Sequence, residues 1–321
     1  MALITALLFF LAGLALAVKG ADLLVEGAAS LSKKLAIPEI VIGLTIIAFG
    51  TSSPELIINI YASLAGKNEI VLGSILGSNT FNILAVLGIS ALIYPLAVQK
   101  NTAWKEIPFA LLGGLLLILF AFNDFLVGPG PLFFALWEGI LLIVFFLFFL
   151  VYTFGLLKTT ALSEQMSIKD RSLKLSIFLL LLGFTGLFLG GKWVVDYAGI
   201  LAREMGVSEK LISLTLLSLG TSFPELMTAL VAAAKKRSDL AIGSIVGSNI
   251  FNLYFILGLS ALIRPIEISG VLILDLWVMT LASFLLFLAM FTGKKRKLGR
   301  FEAIGFLIFY VGYLIYIIIR K

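Results

Sequence analysis

The chain contains no cysteine and no histidine, and only 13% of its 321 residues are charged. Without cysteine it has neither disulfides nor thiolate metal sites, and without histidine it has no imidazole to relay protons or bind a metal. Soluble globular proteins carry about twice this share of charged residues. Because 61% of the residues are hydrophobic, the chain has too little polar surface to face water on all sides. The composition therefore predicts an integral membrane protein.

Ten apolar segments are long enough to cross a bilayer as helices, which requires about 20 residues. They cover residues 3–18 (continuing as a more polar helix to 35), 37–65, 70–95, 107–122, 132–157, 175–201, 210–234, 240–265, 271–291 and 301–319. Pro54 and Pro224 are predicted to interrupt the second and the seventh segment. The predicted fold class is an all-α integral membrane protein with ten transmembrane helices.

The segments form two copies of a five-helix unit. Glu55 and Glu225 lie 170 positions apart, and Asn82 and Asn252 keep the same offset. Because each copy has an odd number of spans, the second copy enters the membrane upside down, which is the inverted-repeat plan of many secondary transporters. The predicted units are residues 1–157 and 175–321, joined by a cytoplasmic linker at 158–174.

Basic residues indicate the orientation of the chain. Sixteen Lys and Arg residues fall in loops after the odd-numbered spans, and six fall on the other side. By the positive-inside rule the first set faces the cytoplasm. The predicted location is the cell membrane, with multiple spans and both termini extracellular.

A carboxylate beside a proline occurs twice within apolar segments, at residues 50–55 (GTSSPE) and 220–225 (GTSFPE). Helical spacing places each glutamate on one face with three small residues, most of which carry a hydroxyl. These faces consist of Ala48, Thr51, Ser52 and Glu55, and of Ser218, Thr221, Ser222 and Glu225. Each proline also frees a backbone carbonyl, which needs a partner inside a membrane. Oxygen atoms of these kinds are the ligands that hard cations such as Ca²⁺ prefer.

A second pair of motifs adds neutral oxygens, at residues 73–82 (GSILGSNTFN) and 243–252 (GSIVGSNIFN). Glycines at every fourth position favour close approach of helices. A serine and an asparagine four residues apart share a face in each copy. These pairs are Ser78 with Asn82 and Ser248 with Asn252. Asn79 and Asn249 point off this face and are interpreted as groups that pack against or support the ligands.

One alternative is that each glutamate pairs with a buried basic residue and only holds helices together. No basic residue lies within either half of the constellation, so a functional site is favoured, because ionisable groups inside a membrane usually serve function. The four segments together predict a site for calcium or sodium ions.

These motifs resemble the calcium/cation antiporter superfamily, in particular the prokaryotic sodium/calcium exchangers. Residues 43–95 and 213–265 resemble its paired α-repeats, and with the span count the resemblance covers essentially the whole chain. It implies ten helices, with the second, third, seventh and eighth around the ions and the first and sixth sliding across them. It further implies that Glu55 and Glu225 bind both calcium and sodium and that Thr51 and Thr221 offer oxygens to both ions. The residues implied to complete the sodium sites are Ala48, Ser52, Ser78, Ser218, Ser222 and Ser248.

The chain departs from several relatives in carrying asparagine, not aspartate, at Asn82 and Asn252. Only two carboxylates then balance the bound cations, and a potassium-coupled exchange, which uses an extra acidic group in relatives, is disfavoured.

The predicted function is a secondary antiporter that exchanges sodium for calcium by alternating access. The alternative is a calcium/proton antiporter that uses the same glutamates. A channel is disfavoured because the chain shows no repeated filter ring, and an enzyme is disfavoured because no nucleophile and base are paired. The expected partners are calcium, sodium and the lipid bilayer, with no cofactor, nucleotide or nucleic acid.

Overall fold

The computed structural model describes residues 2–122, 133–156, 171–205, 209–292 and 296–320, and the chain is almost entirely helical within them. The predicted linker at 158–174 falls mostly outside these ranges. The helices are α1 (Ala2–Leu35), α2 (Glu39–Thr51), α3 (Ser53–Leu64), α4 (Asn68–Ile93), α5 (Thr102–Ala121), α6 (Leu136–Leu156), α7 (Leu173–Glu204), α8 (Glu209–Ala234), α9 (Ser238–Ile263), α10 (Gly270–Ala289) and α11 (Arg300–Ile319). The prediction of an all-helical protein is confirmed.

Within the described residues, eight helices are long and apolar enough to cross a bilayer, and the bent pair α2 and α3 makes nine. The remaining predicted span corresponds to α8, a helix of 26 residues. Each of the ten predicted segments therefore coincides with a helix or a bent pair of helices to within a few residues. The count of ten membrane crossings stays a prediction.

The two prolines act differently, which corrects one expectation. At Pro54 the helix breaks as predicted: Ser52 has the non-helical ψ of 8°, and α2 and α3 meet at a 48° bend. At Pro224 the predicted interruption is wrong, because α8 continues through the proline. A proline inside a membrane helix is tolerated where neighbouring groups re-satisfy the freed carbonyl. The two copies of the motif thus have different backbones.

Turns of π-helix occur beside the motifs. They cover Gly43–Ile47 in α2, Asn82–Leu87 in α4 and Phe251–Ile256 in α9. Such turns are rare and often mark functional sites, since each inserts a residue and rotates the following side chains. Here the turns in α4 and α9 begin at or next to the two asparagines at the ends of the Gly-Ser motifs.

Helices α1 and α7 pack against each other along glycines. A Cβ atom added at Gly20 would lie 2.5 Å from the backbone nitrogen of Leu187, and one added at Gly190 would lie 2.5 Å from that of Ala17. No side chain fits at these points, so the two backbones are in direct contact. The contact runs from Gly13 against Gly190 to Gly27 against Leu180, and the helices are therefore antiparallel. Opposite directions are what an inverted repeat requires of its first and sixth spans.

Helices α4 and α9, which carry the Gly-Ser-Asn motifs, lie at the centre of the bundle. In their most apolar stretches 78% and 94% of the residues are buried, against 22% in α1 and 17% in α11. Gly243 and Gly247 of α9 contact the backbone of α2 at Gly43 and Leu44, as the glycine spacing predicts. At Gly73 and Gly77 in α4, an added Cβ would meet no described atom within 4 Å, so the close approach predicted for these two glycines stays a prediction.

Two short antiparallel strand pairs connect loops at opposite ends of the bundle. Strand β1 (Leu96–Ala97) pairs with β4 (Lys297–Leu298), and β2 (Phe133–Phe134) pairs with β3 (Ile266–Glu267). The predicted topology places both loops of the first pair on the cytoplasmic side and both loops of the second pair outside. The strand pairing therefore agrees with the predicted order of crossings.

Candidate functional site

Two buried glutamates from different halves of the chain form the centre of the site. Glu55 lies in the first turn of α3, where the break at Ser52 exposes the helix start, and Glu225 follows Pro224 in α8. Each is only 1% exposed. The Ser52 hydroxyl donates to Glu225 Oε1 at 3.0 Å, and the Ser222 hydroxyl lies 3.3 Å from Glu55 Oε1. Each motif therefore binds the carboxylate of the other copy.

Further hydroxyls surround the two carboxylates. Ser222 Oγ also lies 2.9 Å from Ser78 Oγ, and Thr51 Oγ1 lies 3.4 Å from Ser248 Oγ. The Thr221 side chain contacts the Glu55 carboxylate, while Thr51 and Ser248 contact the Glu225 carboxylate. These contacts join α2, α4, α8 and α9. Except for Ser218, whose side chain is not described, the structure thus brings together the hydroxyl-bearing residues that the sequence predicts.

Four oxygen atoms at this centre have no hydrogen-bond partner among the described residues. They are Oε2 of Glu55, Oε2 of Glu225, Oδ1 of Asn82 and Oδ1 of Asn252. More than about 90% of buried polar atoms in folded proteins are paired, and an unpaired one is costly. All four are acceptors, so they cannot satisfy one another. Carboxylate and amide oxygens are ligands that hard cations prefer, so this set has the chemistry of a cation site.

An asparagine network crosses the interface between α4 and α9. Asn79 and Asn249 each donate from Nδ2 to the other's backbone carbonyl at 3.3 Å. Asn82 donates to Asn249 Oδ1 at 3.0 Å, and Asn252 donates to Asn79 Oδ1 at 3.1 Å. The amide nitrogens of Asn82 and Asn252 are thereby fixed, which leaves their Oδ1 atoms as the free acceptors. The sequence indicated a supporting role for Asn79 and Asn249 but not this reciprocal pairing.

Two other predicted ligands, Ala48 and Ser218, add no described side-chain hydrogen bond to the glutamates. Ala48 is buried, and its carbonyl oxygen already accepts the Ser52 N–H at 3.0 Å and lies 3.4 Å from the Thr51 hydroxyl. Ser218 lies in α8, but its side chain is outside the described residues. Neither glutamate takes part in any of the ion pairs found in the described part of the chain. The alternative of a glutamate paired with a buried basic residue is therefore not supported there.

Helix α7 reaches the site from the side. A Cβ atom added at Gly50 would lie 2.0 Å from the ring of Phe184. Because glycine has no side chain, this ring can lie against the start of the motif at residues 50–55. A cavity of about 500 Å³ runs between α3, α7 and α8 and is lined by Pro54, Thr221 and, at its other end, Lys192 and Asp196. Thr221, whose side chain contacts Glu55, therefore lies on the wall of this cavity, although neither glutamate lines it.

Comparison with known proteins agrees with this geometry. The family model of sodium/calcium exchanger proteins matches residues 5–155 and 175–319. The sodium/calcium exchanger MaX1 of Methanosarcina acetivorans is 32% identical, over 96% of this chain and 97% of its own. The inner membrane protein YrbG of Escherichia coli (strain K12) is 36% identical, over 84% and 82%.

Among solved structures, the sodium–calcium exchanger NCX_Mj superposes with a TM-score of 0.81 at 31% identity and covers 97% of this chain and 98% of its own. The matched relatives named as exchangers are transporters and not enzymes, as the sequence predicts. The matches extend over nearly the whole chain and include both motif pairs. The chain belongs to the sodium/calcium exchanger family of cation antiporters.

Proposed function

We propose that this antiporter exchanges sodium for calcium and that both ions use the same two glutamates. The observation that carries the proposal is the cluster of four unpaired acceptor oxygens on Glu55, Glu225, Asn82 and Asn252. Two of the four belong to carboxyl groups, which together carry a formal charge of −2 when both are ionised. Calcium needs about six to eight oxygen ligands. The neighbouring threonine and serine hydroxyls raise the number of available oxygens to that range.

Mutual exclusion at the glutamates couples the two fluxes. One calcium ion neutralises both carboxylates, whereas three sodium ions leave a charge of +1. The site then holds either one calcium ion or several sodium ions. The proposed ligands are the two glutamates, the two asparagines and the hydroxyl groups around them. These hydroxyl groups belong to Thr51, Ser52, Ser78, Ser218, Thr221, Ser222 and Ser248, with the carbonyl of Ala48 as a further ligand.

The two ends of the bundle differ as alternating access requires. The cavity beside Thr221 opens toward Lys192 and Asp196, an end that the charge distribution assigns to the outside. At the other end, Lys235 at the end of α8 forms ion pairs with Asp22 and Glu26 of α1. We propose that this conformation faces outward, with both termini outside, and that α1 and α7 move as a pair. Residues 1–157 and 175–321 are then two inverted halves of one transporter.

The test is calcium uptake into proteoliposomes loaded with sodium, alongside sodium-free vesicles and vesicles with a pH gradient. We expect uptake only with sodium inside and none outside. Uptake driven by the pH gradient and indifferent to sodium would contradict sodium coupling and would assign proton exchange to the same glutamates.

Variants link the flux to the site. Glu55→Gln and Glu225→Gln keep the side-chain size but remove one charge each, and we expect calcium uptake to fall at least a hundredfold. Glu69→Gln is the matched control, because Glu69 lies exposed in the first turn of α4, away from the four unpaired oxygens. Wild-type uptake by Glu55→Gln would contradict the shared-glutamate mechanism.

A further inference from the structure

A second cavity lies far from the ion site, at the end of the bundle where most basic residues are found. It measures about 950 Å³ and lies between the end of α10 and the start of α11. Leu285 and Leu288 line it on one side and Phe306 on the other, with Lys297 and Arg300 at the end of the helices. None of the proposed ion ligands lines this cavity. The cavity is therefore separate from the proposed ion site.

The charged groups of this cavity favour an anion. No carboxylate of the described residues pairs with Lys297 or Arg300. Arg300 Nε donates to the Leu92 carbonyl, which orients the guanidinium and leaves its terminal N–H groups for another acceptor. Glu302 also lines the cavity, but Gly299 N–H donates to its Oε2 and the Thr292 hydroxyl to its Oε1. Among the described residues, the cavity thus has two cationic side chains without an acidic partner and one hydrogen-bonded carboxylate, which leaves a net formal charge of +1.

The position of the cavity matches the membrane interface. Trp104 packs edge-on against Phe291 at the end of α10, with ring centroids 4.9 Å apart, and both rings are exposed. Aromatic rings of this kind concentrate at the level of lipid headgroups. Phe306 lies six residues into α11, about 9 Å deeper than Arg300 at 1.5 Å per residue. The cavity is therefore cationic at headgroup level and apolar toward the membrane core.

We propose that this cavity binds one anionic phospholipid, with its phosphate against Lys297 and Arg300 and an acyl chain along Leu285 and Phe306. Arginine and lysine both recognise phosphate, and basic pockets between membrane helices bind anionic headgroups. A zwitterionic lipid fits less well, because its own cationic group faces the same two side chains. In the proposed orientation the cavity opens to the cytoplasmic leaflet, where anionic lipids are common.

The test is native mass spectrometry of the full-length protein in detergent, with phosphatidylglycerol or phosphatidylcholine added in equal amounts. We expect a phosphatidylglycerol adduct that outnumbers the phosphatidylcholine adduct. The double variant Lys297→Gln with Arg300→Gln should lower the phosphatidylglycerol adduct about tenfold. Lys34→Gln with Lys100→Gln is the control, since it removes two exposed charges at the same end of the bundle but outside the cavity.

Three results would overturn the proposal. These are equal binding of the two lipids, an equal loss in the control variant, and displacement of the adduct by millimolar glycerol phosphate, which would indicate a site for free phosphate. Calcium uptake by the double variant in phosphatidylcholine vesicles shows that the variant is folded, because neither residue belongs to the proposed ion site. The lipid readout does not depend on which ions are exchanged, so the lipid proposal is tested independently of the proposed function.

Discussion

Replacing Asn79 by alanine tests whether the asparagine network orients the proposed ion ligands or only packs α4 against α9. Asn79 accepts from Asn252 Nδ2 at 3.1 Å, and this bond holds the Asn252 carboxamide with its Oδ1 free. Asn79→Ala leaves a buried amide donor without an acceptor, which costs about 1–3 kcal/mol of stability. It also frees the Asn252 side chain to rotate. If the site loses one well-placed neutral oxygen worth about 1.4 kcal/mol, the apparent affinity for calcium falls about tenfold.

The assay combines sodium-driven calcium uptake in proteoliposomes with thermal unfolding in detergent. We expect a KM for calcium raised about tenfold and a lowered Tm. Asn249→Ala should give a change of similar size, because Asn249 holds Asn82 through the reciprocal bond at 3.0 Å. Thr153→Ala is the control. The buried Thr153 hydroxyl donates to the Phe149 carbonyl of its own helix, so we expect a modest loss of stability and an unchanged KM.

Two outcomes would refute this reasoning. In the first, both asparagine variants lower Tm but leave the KM for calcium unchanged, and the network then serves packing alone. In the second, one variant raises KM and the other does not, and the reciprocal bonds then have no equivalent role in binding. A raised KM in the Thr153→Ala control would also contradict it, because loss of stability would then be sufficient to explain the effect.

Three further substitutions test other parts of the structure. Lys235→Gln removes the ion pair with Asp22 that joins the end of α8 to α1. Such a pair contributes up to about 1 kcal/mol, so we expect the population of the inward-facing state to rise up to about fivefold. Faster hydrogen–deuterium exchange in the second half of α1 would report this rise. Arg320→Met leaves the buried Asp275 carboxylate without its cation, and unfolding experiments should show a loss of about 1–3 kcal/mol, whereas an unchanged Tm would count against a structural ion pair. Gly20→Leu places a side chain where the α7 backbone lies 2.5 Å away, so we expect loss of folded protein in size-exclusion chromatography, and a monodisperse variant with full activity would contradict the close contact.

Much of the architecture follows from the sequence because its causes are local. Apolar runs define the helices, and Pro54 with its neighbours predicts the break that the structure has at Ser52. The constant offset of 170 residues predicts which groups are equivalent, and the reciprocal bonds between Asn79 and Asn249 keep that offset. The site could therefore be predicted in composition, as two carboxylates surrounded by hydroxyl and amide oxygens.

What could not be predicted depends on contacts between distant segments. Pro54 and Pro224 stand in equivalent motifs, yet the helix breaks before Pro54 and continues through Pro224, so the proline alone does not decide the outcome. Turns of π-helix leave no composition signal, yet they begin beside Asn82 and Asn252. The ion pair of Asp275 with Arg320 joins the start of α10 to the end of α11. No short-range sequence pattern predicts ion pairs between residues so far apart in the chain.

The most direct test of the central claim is equilibrium binding of calcium to the purified protein at increasing sodium concentration. If the two ions share the glutamates, the Kd for calcium rises with sodium more steeply than in direct proportion, because several sodium ions leave when one calcium ion binds. Glu55→Gln and Glu225→Gln should each weaken calcium binding and flatten the dependence on sodium. A Kd for calcium that is indifferent to sodium in the wild-type protein would show that the two ions do not share the glutamates and would contradict the proposed coupling.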